Sequence, residues 1–194
     1  MHLPQYRQLR EMMSVDSNWG RQIEWAETVK RPLTADAMAQ ELIFVICNSG
    51  MNHKVARGIY SRVMPALVAG HHPNTVFHHK GKAAGMMKIW SEREALFEKL
   101  GTLQDSDVPA WCGSLPWIGA ITKWHAAKNL GADVAKPDRW LVRLANAVGE
   151  TVDELCGRLS RESNDRVATV DLVLWWALAN KHLSISEAGD VVVH

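Results

Sequence analysis

The chain has 194 residues, a net charge of +1 and 47% hydrophobic residues, with nine tryptophans against three phenylalanines and two tyrosines. This length allows one domain or two small lobes with a sizeable core. The near-zero net charge argues against a protein that coats nucleic acid by global electrostatics, although a local basic patch stays open. Most of the tryptophans are expected to pack in or near the core, as aromatic side chains usually do.

The cysteines and the first residues predict the compartment. Cys47, Cys112 and Cys156 are far apart and form no C-x-x-C pair, which argues against a disulfide framework and against a zinc or iron–sulfur site. The first residues lack the apolar core of a signal sequence, and no apolar run approaches the roughly 20 residues of a membrane span. We therefore predict a cytoplasmic protein with no membrane partner, and we expect a monomer.

The first half of the chain predicts helices throughout. Residues 1–31 predict one or two short helices with a polar break at Ser14–Asn18. Thr34 is suited to cap the next helix, whose second half is apolar on all sides and favours a buried helix over a buried strand. The residues spaced as an apolar stripe near the start are Trp19, Ile23, Ala26 and, as a further candidate, Trp25. The predicted helices that follow are Ala35–Cys47, His53–Val68, with Val55, Ile59, Val63 and Leu67 on one stripe, and Lys82–Leu100.

A loop with two histidine pairs separates the last two of these helices. His71-His72 and His78-His79 have no acidic or cysteine ligand between them, so solvated imidazoles are favoured over a metal site. Further along, Asp105–Asp107 opens a short helix, and Thr151 begins a capping box. The remaining predicted helices run to Gly113, from after Gly119 to near Gly131, over 138–148, from Thr151 to about Leu159, and over Val167–Lys181. The tail from Ser184 has strand propensity but no partner strand, so the chain predicts an all-α protein of about ten helices.

The stretch Leu115–Arg143 carries the chemistry that we expect. It opens with a proline-containing tight turn and a glycine, continues as a helix, and presents Asp138 just after Pro137 at the start of another helix. Five basic side chains stand there against two carboxylates, in a chain whose total charge is only +1. A basic turn and helix that present one carboxylate indicate a segment that binds phosphate and does chemistry beside it.

This stretch resembles the helix-hairpin-helix DNA glycosylases, the HhH-GPD superfamily with its endonuclease-III-like and 3-methyladenine-type enzymes. The family pattern of Leu-Pro-Gly, an apolar residue and Gly, followed by an Asp motif about 20 residues on, is matched by Leu115–Thr122 and Lys136–Trp140. The resemblance covers roughly residues 35–180. It implies a two-lobed helical fold. One lobe is 34–132, ending in the hairpin, and the other is 1–33 with 135–194, carrying the catalytic Asp at its edge.

The resemblance implies that Asp138 is catalytic. Its carboxylate would stabilise the oxocarbenium-like charge on the sugar and orient or deprotonate the attacking water. The alternative is that Asp138 only caps the following helix, and both roles are compatible. A monovalent cation, Na⁺ or K⁺, at the hairpin is a further implication, whereas no cofactor is required for the chemistry and no other metal is expected. The residues expected to bind DNA are Trp117, Gly119, Ile121, Thr122, Lys123, Lys136 and Arg139.

Departures from the family pattern refine this reading. Ile121 stands where members with lyase activity carry a lysine, and isoleucine cannot form a Schiff base, so a monofunctional enzyme is implied. Trp117 replaces the first hairpin glycine, and Trp140 replaces the histidine after the Asp. Enzymes that extrude a base fill the gap with a side chain. The wedge candidates are Asn48 and Met51, and the pocket candidates are Trp19, Glu24 and Trp25, with core packing for the tryptophans and a solvent-facing Glu24 as the alternative.

The resemblance thus implies a monofunctional DNA glycosylase, which flips a modified or damaged base out of double-stranded DNA and hydrolyses its N-glycosidic bond. Whether this base excision serves DNA repair, defence or DNA modification stays open. The product is an abasic site. Two alternatives stay open, a non-catalytic DNA-binding module on the same scaffold and an enzyme that alters a modified base on DNA. The excised base, whether alkylated, deaminated, oxidised or of a phage-type modification, also stays open.

Overall fold

The computed structural model describes residues 1–186 and 189–194, apart from the His53 side chain. This part of the chain confirms the predicted all-α class, with eleven α-helices and one short two-stranded sheet. The helices are α1 (Leu3–Val15), α2 (Ser17–Thr28), α3 (Ala35–Asn48), α4 (His53–Val68), α5 (Lys80–Ser91), α6 (Arg93–Gly101), α7 (Val108–Ser114), α8 (Thr122–Asn129), α9 (Arg139–Ala147), α10 (Val152–Ser163) and α11 (Val167–Ala179). The strands are β1 (Leu183–Ile185) and β2 (Val191–Val193).

The chain divides into two compact units. The central unit is Lys30–Ala132, and the terminal unit joins Met1–Val29 with Asp133–His194. The lobe boundaries predicted from the sequence lie after residue 33 and between residues 132 and 135. No helix in the described part of the chain is long and apolar enough to cross a membrane.

Helix α3 forms the centre of the central unit. The Thr34 side chain accepts a hydrogen bond from the Ala37 N–H at 3.1 Å and begins the helix as predicted. Leu42, Ile43 and Ile46 are fully buried, and α3 contacts α4, α5, α6 and α8. Neighbours on several sides explain why this helix is apolar all round, and the prediction of a buried helix here is confirmed.

Helix α11 has the corresponding place in the terminal unit. It contacts α1, α2, α9, α10 and β1, and nearly all of its residues are apolar. From α1, Tyr6, Leu9 and Met13 are fully buried in the same core. The predicted capping box at the start of α10 is confirmed, because the Glu154 carboxylate accepts from the Thr151 N–H at 2.7 Å and the Thr151 hydroxyl accepts from the Glu154 N–H at 3.2 Å.

Two predicted elements are wrong. The helix predicted over Lys82–Leu100 is two helices, α5 and α6, which meet at Glu92. Arg93 forms an ion pair with Asp36 of α3 and donates to the Trp90 carbonyl, so tertiary contacts hold this junction without a glycine or proline. The tail does have a partner strand, since β2 pairs antiparallel with β1, in the register Leu183↔Val193, Ser184↔Val192 and Ile185↔Val191.

Two predicted apolar stripes are only partly correct. In α2, Ile23 and Ala26 are buried, whereas Trp25 is 42% exposed and does not belong to the core. In α4, the predicted stripe residues Ile59, Val63 and Leu67 are buried, whereas Val55 is exposed. Trp25 lies beside the buried face of α2, whereas Val55 shares the stripe of Ile59 but lies in the first turn of α4, where the side chain is exposed.

Candidate functional site

Helices α7 and α8 are joined by the turn Leu115–Ile121, where the sequence predicted the hairpin. Leu115 and Ile118 are buried and anchor the turn, whereas residues 119–121 are exposed. The Thr122 hydroxyl accepts a hydrogen bond from the Gly119 N–H at 2.8 Å and so ties the turn to the first residue of α8. The first N–H groups of a helix have no acceptor within it, so the exposed turn and the start of α8 present donors suited to an anion.

Trp117 is the unusual residue of this turn. Its φ is 64°, a left-handed conformation that glycine adopts at little cost and that a bulky side chain rarely adopts. The indole lies against two glycines of α5, because a Cβ atom at Gly81 would be 2.3 Å from Trp117 Cζ2 and one at Gly85 would be 2.8 Å from Trp117 Cδ1. His79 meets the same ring edge to face, with centroids 4.9 Å apart. Two glycines one helical turn apart therefore make room for the ring.

The turn between α3 and α4 lies beside the hairpin turn. A depression of about 590 Å³ is lined by Ser49 together with residues 117–122. The predicted wedge residues Asn48 and Met51 flank Ser49, and their turn closes with a hydrogen bond from the Met51 N–H to the Asn48 carbonyl at 3.1 Å. Lys82, which is buried, donates to the Ser49 carbonyl at 2.5 Å, and burial lowers the pKa of its ammonium group. The structure therefore brings the wedge candidates and the hairpin together.

Carboxylates are absent from the sequence segments that form this surface. Residues 42–91 and 108–132 contain no Asp or Glu, and the central unit has twelve basic residues against seven acidic ones, whereas the terminal unit has ten against fourteen. We call the exposed parts of residues 48–52, 80–82 and 117–122 the hairpin surface. Three helices, α4, α5 and α8, begin at this surface, so their positive dipole ends add to its basic character.

Asp138 is the N-cap of α9. One carboxylate oxygen, Oδ1, accepts from the Trp140 N–H at 2.9 Å and from the Leu141 N–H at 3.2 Å. The other oxygen, Oδ2, lies 3.8 Å from the Lys136 ammonium nitrogen, and the side chain is 13% exposed. The cap predicted as an alternative role is thus present, and it leaves Oδ2 free of the helix. A carboxylate held in one orientation beside a cation is suited to stabilise positive charge on a substrate.

Two further carboxylates hold the loop that leads to Asp138. Asp133 accepts from the Ala168 N–H at 2.9 Å at the start of α11, and Asp171, buried within α11, accepts from the Lys136 N–H at 2.7 Å. The Asp138 N–H then donates to the Lys136 carbonyl at 2.7 Å and closes a tight turn over the intervening proline. The loop is therefore fixed at both ends against the same helix.

The other predicted site residues lie in different surroundings. The Lys123 ammonium group lies 5.3 Å from the centre of the Trp124 ring, and the Arg139 guanidinium lies 5.0 Å from that of Trp140. Ile121 is 55% exposed at the start of α8. Of the pocket candidates, Glu24 and Trp25 are exposed on α2, whereas Trp19 packs against Trp175 with ring centres 6.1 Å apart.

Local sequence reasoning missed three features of these sites. An aspartate in the middle of the apolar helix α11 is a signal for a paired buried acid, and Asp171 is that residue. The acid-free segments are readable from the sequence as a charge pattern. No local sequence pattern predicts that the Trp117 ring packs against Gly81 and Gly85, because Trp117 lies far from both glycines along the chain.

No group of three or more His, Cys, Asp or Glu side chains suited to a metal ion occurs in the part of the chain that the structure describes. A scan against protein-family models and searches of curated proteins and of solved structures found no match to this chain.

Proposed function

We propose that this protein is a monofunctional DNA glycosylase with a helix-hairpin-helix fold, which hydrolyses the bond between a modified base and its deoxyribose. The hairpin surface binds the sugar-phosphate backbone, and the Asp138 carboxylate serves the hydrolysis. The partner is double-stranded DNA that contains the modified base.

The observation that carries this proposal is the conformation of the hairpin turn. Position 117 is the first glycine of the family pattern, and here its φ of 64° is one that glycine adopts readily, although the residue is tryptophan. The backbone at this position therefore suits the glycine of the family pattern, and the Trp117 side chain packs against Gly81 and Gly85. This left-handed backbone supports the resemblance at the one hairpin position where the residue type departs from the pattern.

The charge distribution supports a nucleic-acid partner. Phosphate binding needs cations and N–H donors without nearby carboxylates, and the hairpin surface has both. Lys80 belongs to this surface, and Lys54 and Lys123 follow it closely in the chain, at the starts of α4 and α8. Replacing any one of them that contacts a phosphate should lower the slope of log K against log salt by about 1 and weaken binding to all DNA sequences alike.

The chemistry proposed for Asp138 needs only water as a co-reactant. As the N-glycosidic bond breaks, the electron pair leaves with the base and positive charge builds on the sugar. The Oδ2 atom of Asp138 stabilises that charge and receives a proton from the water that attacks the sugar carbon. Ile121 has no amine to form a Schiff base, so the product is an intact abasic site rather than a cleaved strand.

A DNA-binding module without base excision is the second candidate. It is favoured by the two hydrogen bonds that Asp138 Oδ1 already accepts from the start of α9, because a cap accounts for an aspartate at this position without catalysis. The two candidates differ in what happens when the charge of Asp138 is removed and its capping ability is kept.

Asp138→Asn makes this separation, because asparagine caps a helix as well as aspartate does. A matched control is Asp16→Asn, since Asp16 caps α2 with the same pattern, accepting from Asn18 N–H at 2.8 Å and Trp19 N–H at 3.1 Å. Wild type and both variants are incubated with duplex oligonucleotides that each carry one alkylated, deaminated, oxidised or bulky phage-type base. Free base is read by mass spectrometry, and strand breaks are read with and without alkali.

We expect base release by wild type and Asp16→Asn, with breaks only after alkali, and a loss of about 10²–10⁴-fold for Asp138→Asn. Equal thermal stability of the three proteins would show that the loss is catalytic. Unchanged base release by Asp138→Asn would refute the proposed role. No release from any substrate, together with salt-dependent duplex binding by all three proteins, would establish the binding module instead.

A further inference from the structure

A second pocket lies in the terminal unit, between α9, the end of α11 and β1. Its volume is about 400 Å³, which is within the range of small-molecule sites. The apolar part of its lining includes Leu178 and Leu183, and Trp140 contributes an indole. Arg143 and Lys181 supply two cations. The pocket therefore combines an apolar floor, an aromatic ring and a basic rim.

The charge of this pocket contrasts with that of its unit. Within the described part of the chain no Asp or Glu side chain lines the pocket, although acidic residues outnumber basic ones in the terminal unit by fourteen to ten. Arg143 and Lys181 are both exposed, and the Arg139 guanidinium lies 5.0 Å from the centre of the Trp140 ring. A local basic site of this kind complements an anion that also carries an apolar or aromatic group.

Lys181 holds a backbone position at which glycine is usual. Its φ is 64°, just after the end of α11, and two hydrogen bonds close the helix there, from the His182 N–H to the Ala177 carbonyl at 2.8 Å and from the Lys181 N–H to the Leu178 carbonyl at 3.4 Å. This is the Schellman arrangement, whose left-handed residue is most often glycine because a side chain is unfavourable there. Left-handed non-glycine residues occur preferentially at binding sites.

We propose that this pocket binds a nucleotide, with the base against the Trp140 indole and the phosphate held by Arg143 and Lys181. Bases stack on aromatic side chains whatever their sequence, and Arg and Lys are the usual ligands of phosphate. The nucleotide has two sources, a free mononucleotide or one unit of a single strand. Binding here needs no bond cleavage, so the inference goes beyond the proposed glycosylase activity and does not rest on it.

The indole and the apolar floor distinguish a nucleotide from simpler anions. Inorganic phosphate can contact only the two cations of the basic rim, whereas a nucleoside can contact only the indole and the apolar floor. A nucleotide uses both, so its affinity should exceed that of either part. This ordering follows from the lining and can be measured with the three compounds alone.

Lys181→Gly tests the site without endangering the fold, because glycine suits the left-handed position better than lysine does. The matched control is Asn164→Gly, at another left-handed position, with a φ of 65°, at the end of α10. Deoxyadenosine monophosphate, deoxyadenosine, inorganic phosphate and a five-residue deoxyadenosine oligonucleotide are titrated by calorimetry into wild type and both variants. Trp140→Leu is included to remove the stacking surface.

We expect the monophosphate or the oligonucleotide to bind more tightly than deoxyadenosine or phosphate. Lys181→Gly should weaken that binding about tenfold, as the loss of one charged hydrogen bond implies, and Asn164→Gly should leave it unchanged. Binding of the monophosphate identifies the free nucleotide as the source, and binding of the oligonucleotide alone identifies a strand. Binding of neither probe, or binding that survives both Lys181→Gly and Trp140→Leu, overturns the inference. No base release is measured, so this outcome is independent of the Asp138 experiment.

Discussion

The Trp117 indole packs against Gly81 and Gly85 of α5. We therefore predict that Gly85→Ala destabilises the wild-type protein but stabilises a variant that lacks the indole. Alanine is a better helix former than glycine by about 1 kcal/mol in a helix interior, so Gly85→Ala would by itself stabilise α5. The added methyl group, however, would lie 2.8 Å from Trp117 Cδ1 and 3.3 Å from Pro116 Cβ. Overpacking of this kind costs about 1–3 kcal/mol. In the wild-type background the variant should therefore be destabilised by up to about 2 kcal/mol.

Removal of the indole should reverse this result. In a Trp117→Gly background only the Pro116 contact at 3.3 Å remains, so Gly85→Ala should raise the free energy of unfolding by up to about 1 kcal/mol. Gly81→Ala should show a larger coupling to Trp117, because its methyl group would lie 2.3 Å from Trp117 Cζ2. Trp117→Gly is measured as one corner of a double-mutant cycle, and its own effect is subtracted to leave the coupling between the two positions.

The assay is thermal unfolding, followed by circular dichroism. For a chain of this length, about 1 kcal/mol corresponds to a shift of about 2–4 °C in Tm. The control is Gly58→Ala in α4, where an added methyl group meets nothing within 4 Å, so it should stabilise the protein equally in both backgrounds. If Gly85→Ala behaves as Gly58→Ala does in both backgrounds, the indole is not seated on α5 and the reasoning fails.

Two further predictions concern buried polar groups. Asp171→Ala leaves the Lys136 N–H without its acceptor, so it should lower the free energy of unfolding by about 1–3 kcal/mol. Urea denaturation measures this change, and an unchanged midpoint would show that the hydrogen bond contributes nothing to stability. Burial raises the pKa of Cys47 to about 11 and that of Cys112 to about 12, and it also raises the pKa of Tyr6. These groups ionise more readily in the unfolded chain, so their stabilising contribution is present below pH 9 and is lost as the pH rises above it. Tm should fall between pH 9 and 11, and Tyr6→Phe should reduce the decline above pH 10; a flat profile would contradict the burial of all three groups.

Interactions between near neighbours in the chain were predictable. The caps at Thr34, Thr151 and Asp138 each join a side chain to an N–H group two or three residues ahead, so the residue type and its position suffice to predict them. The all-α class follows in the same way from the periodicity of apolar residues. For the candidate catalytic residue, sequence and structure agree on its place at the start of a helix.

Contacts between distant residues were not predictable. The junction at Glu92 depends on the pairing of Arg93 with Asp36, and the sheet depends on the pairing of β1 with β2 across a turn. Three-residue strands give too short an alternation to indicate a strand, and a lysine at a left-handed position gives no signal at all. The pocket beside Trp140 therefore emerges only from the folded chain.

The sequence by itself determined the helical class, the capped starts of α3, α9 and α10, the acid-free segments around the hairpin and the position of Asp138. Each of these is a property of residues within a few positions of one another or of composition alone. Only the tertiary structure decided that Trp117 takes a left-handed conformation, that Gly81 and Gly85 receive its ring, and that Ser49 lies beside the hairpin. Those features depend on which helices pack together, and packing depends on the shapes of side chains that are far apart in the chain.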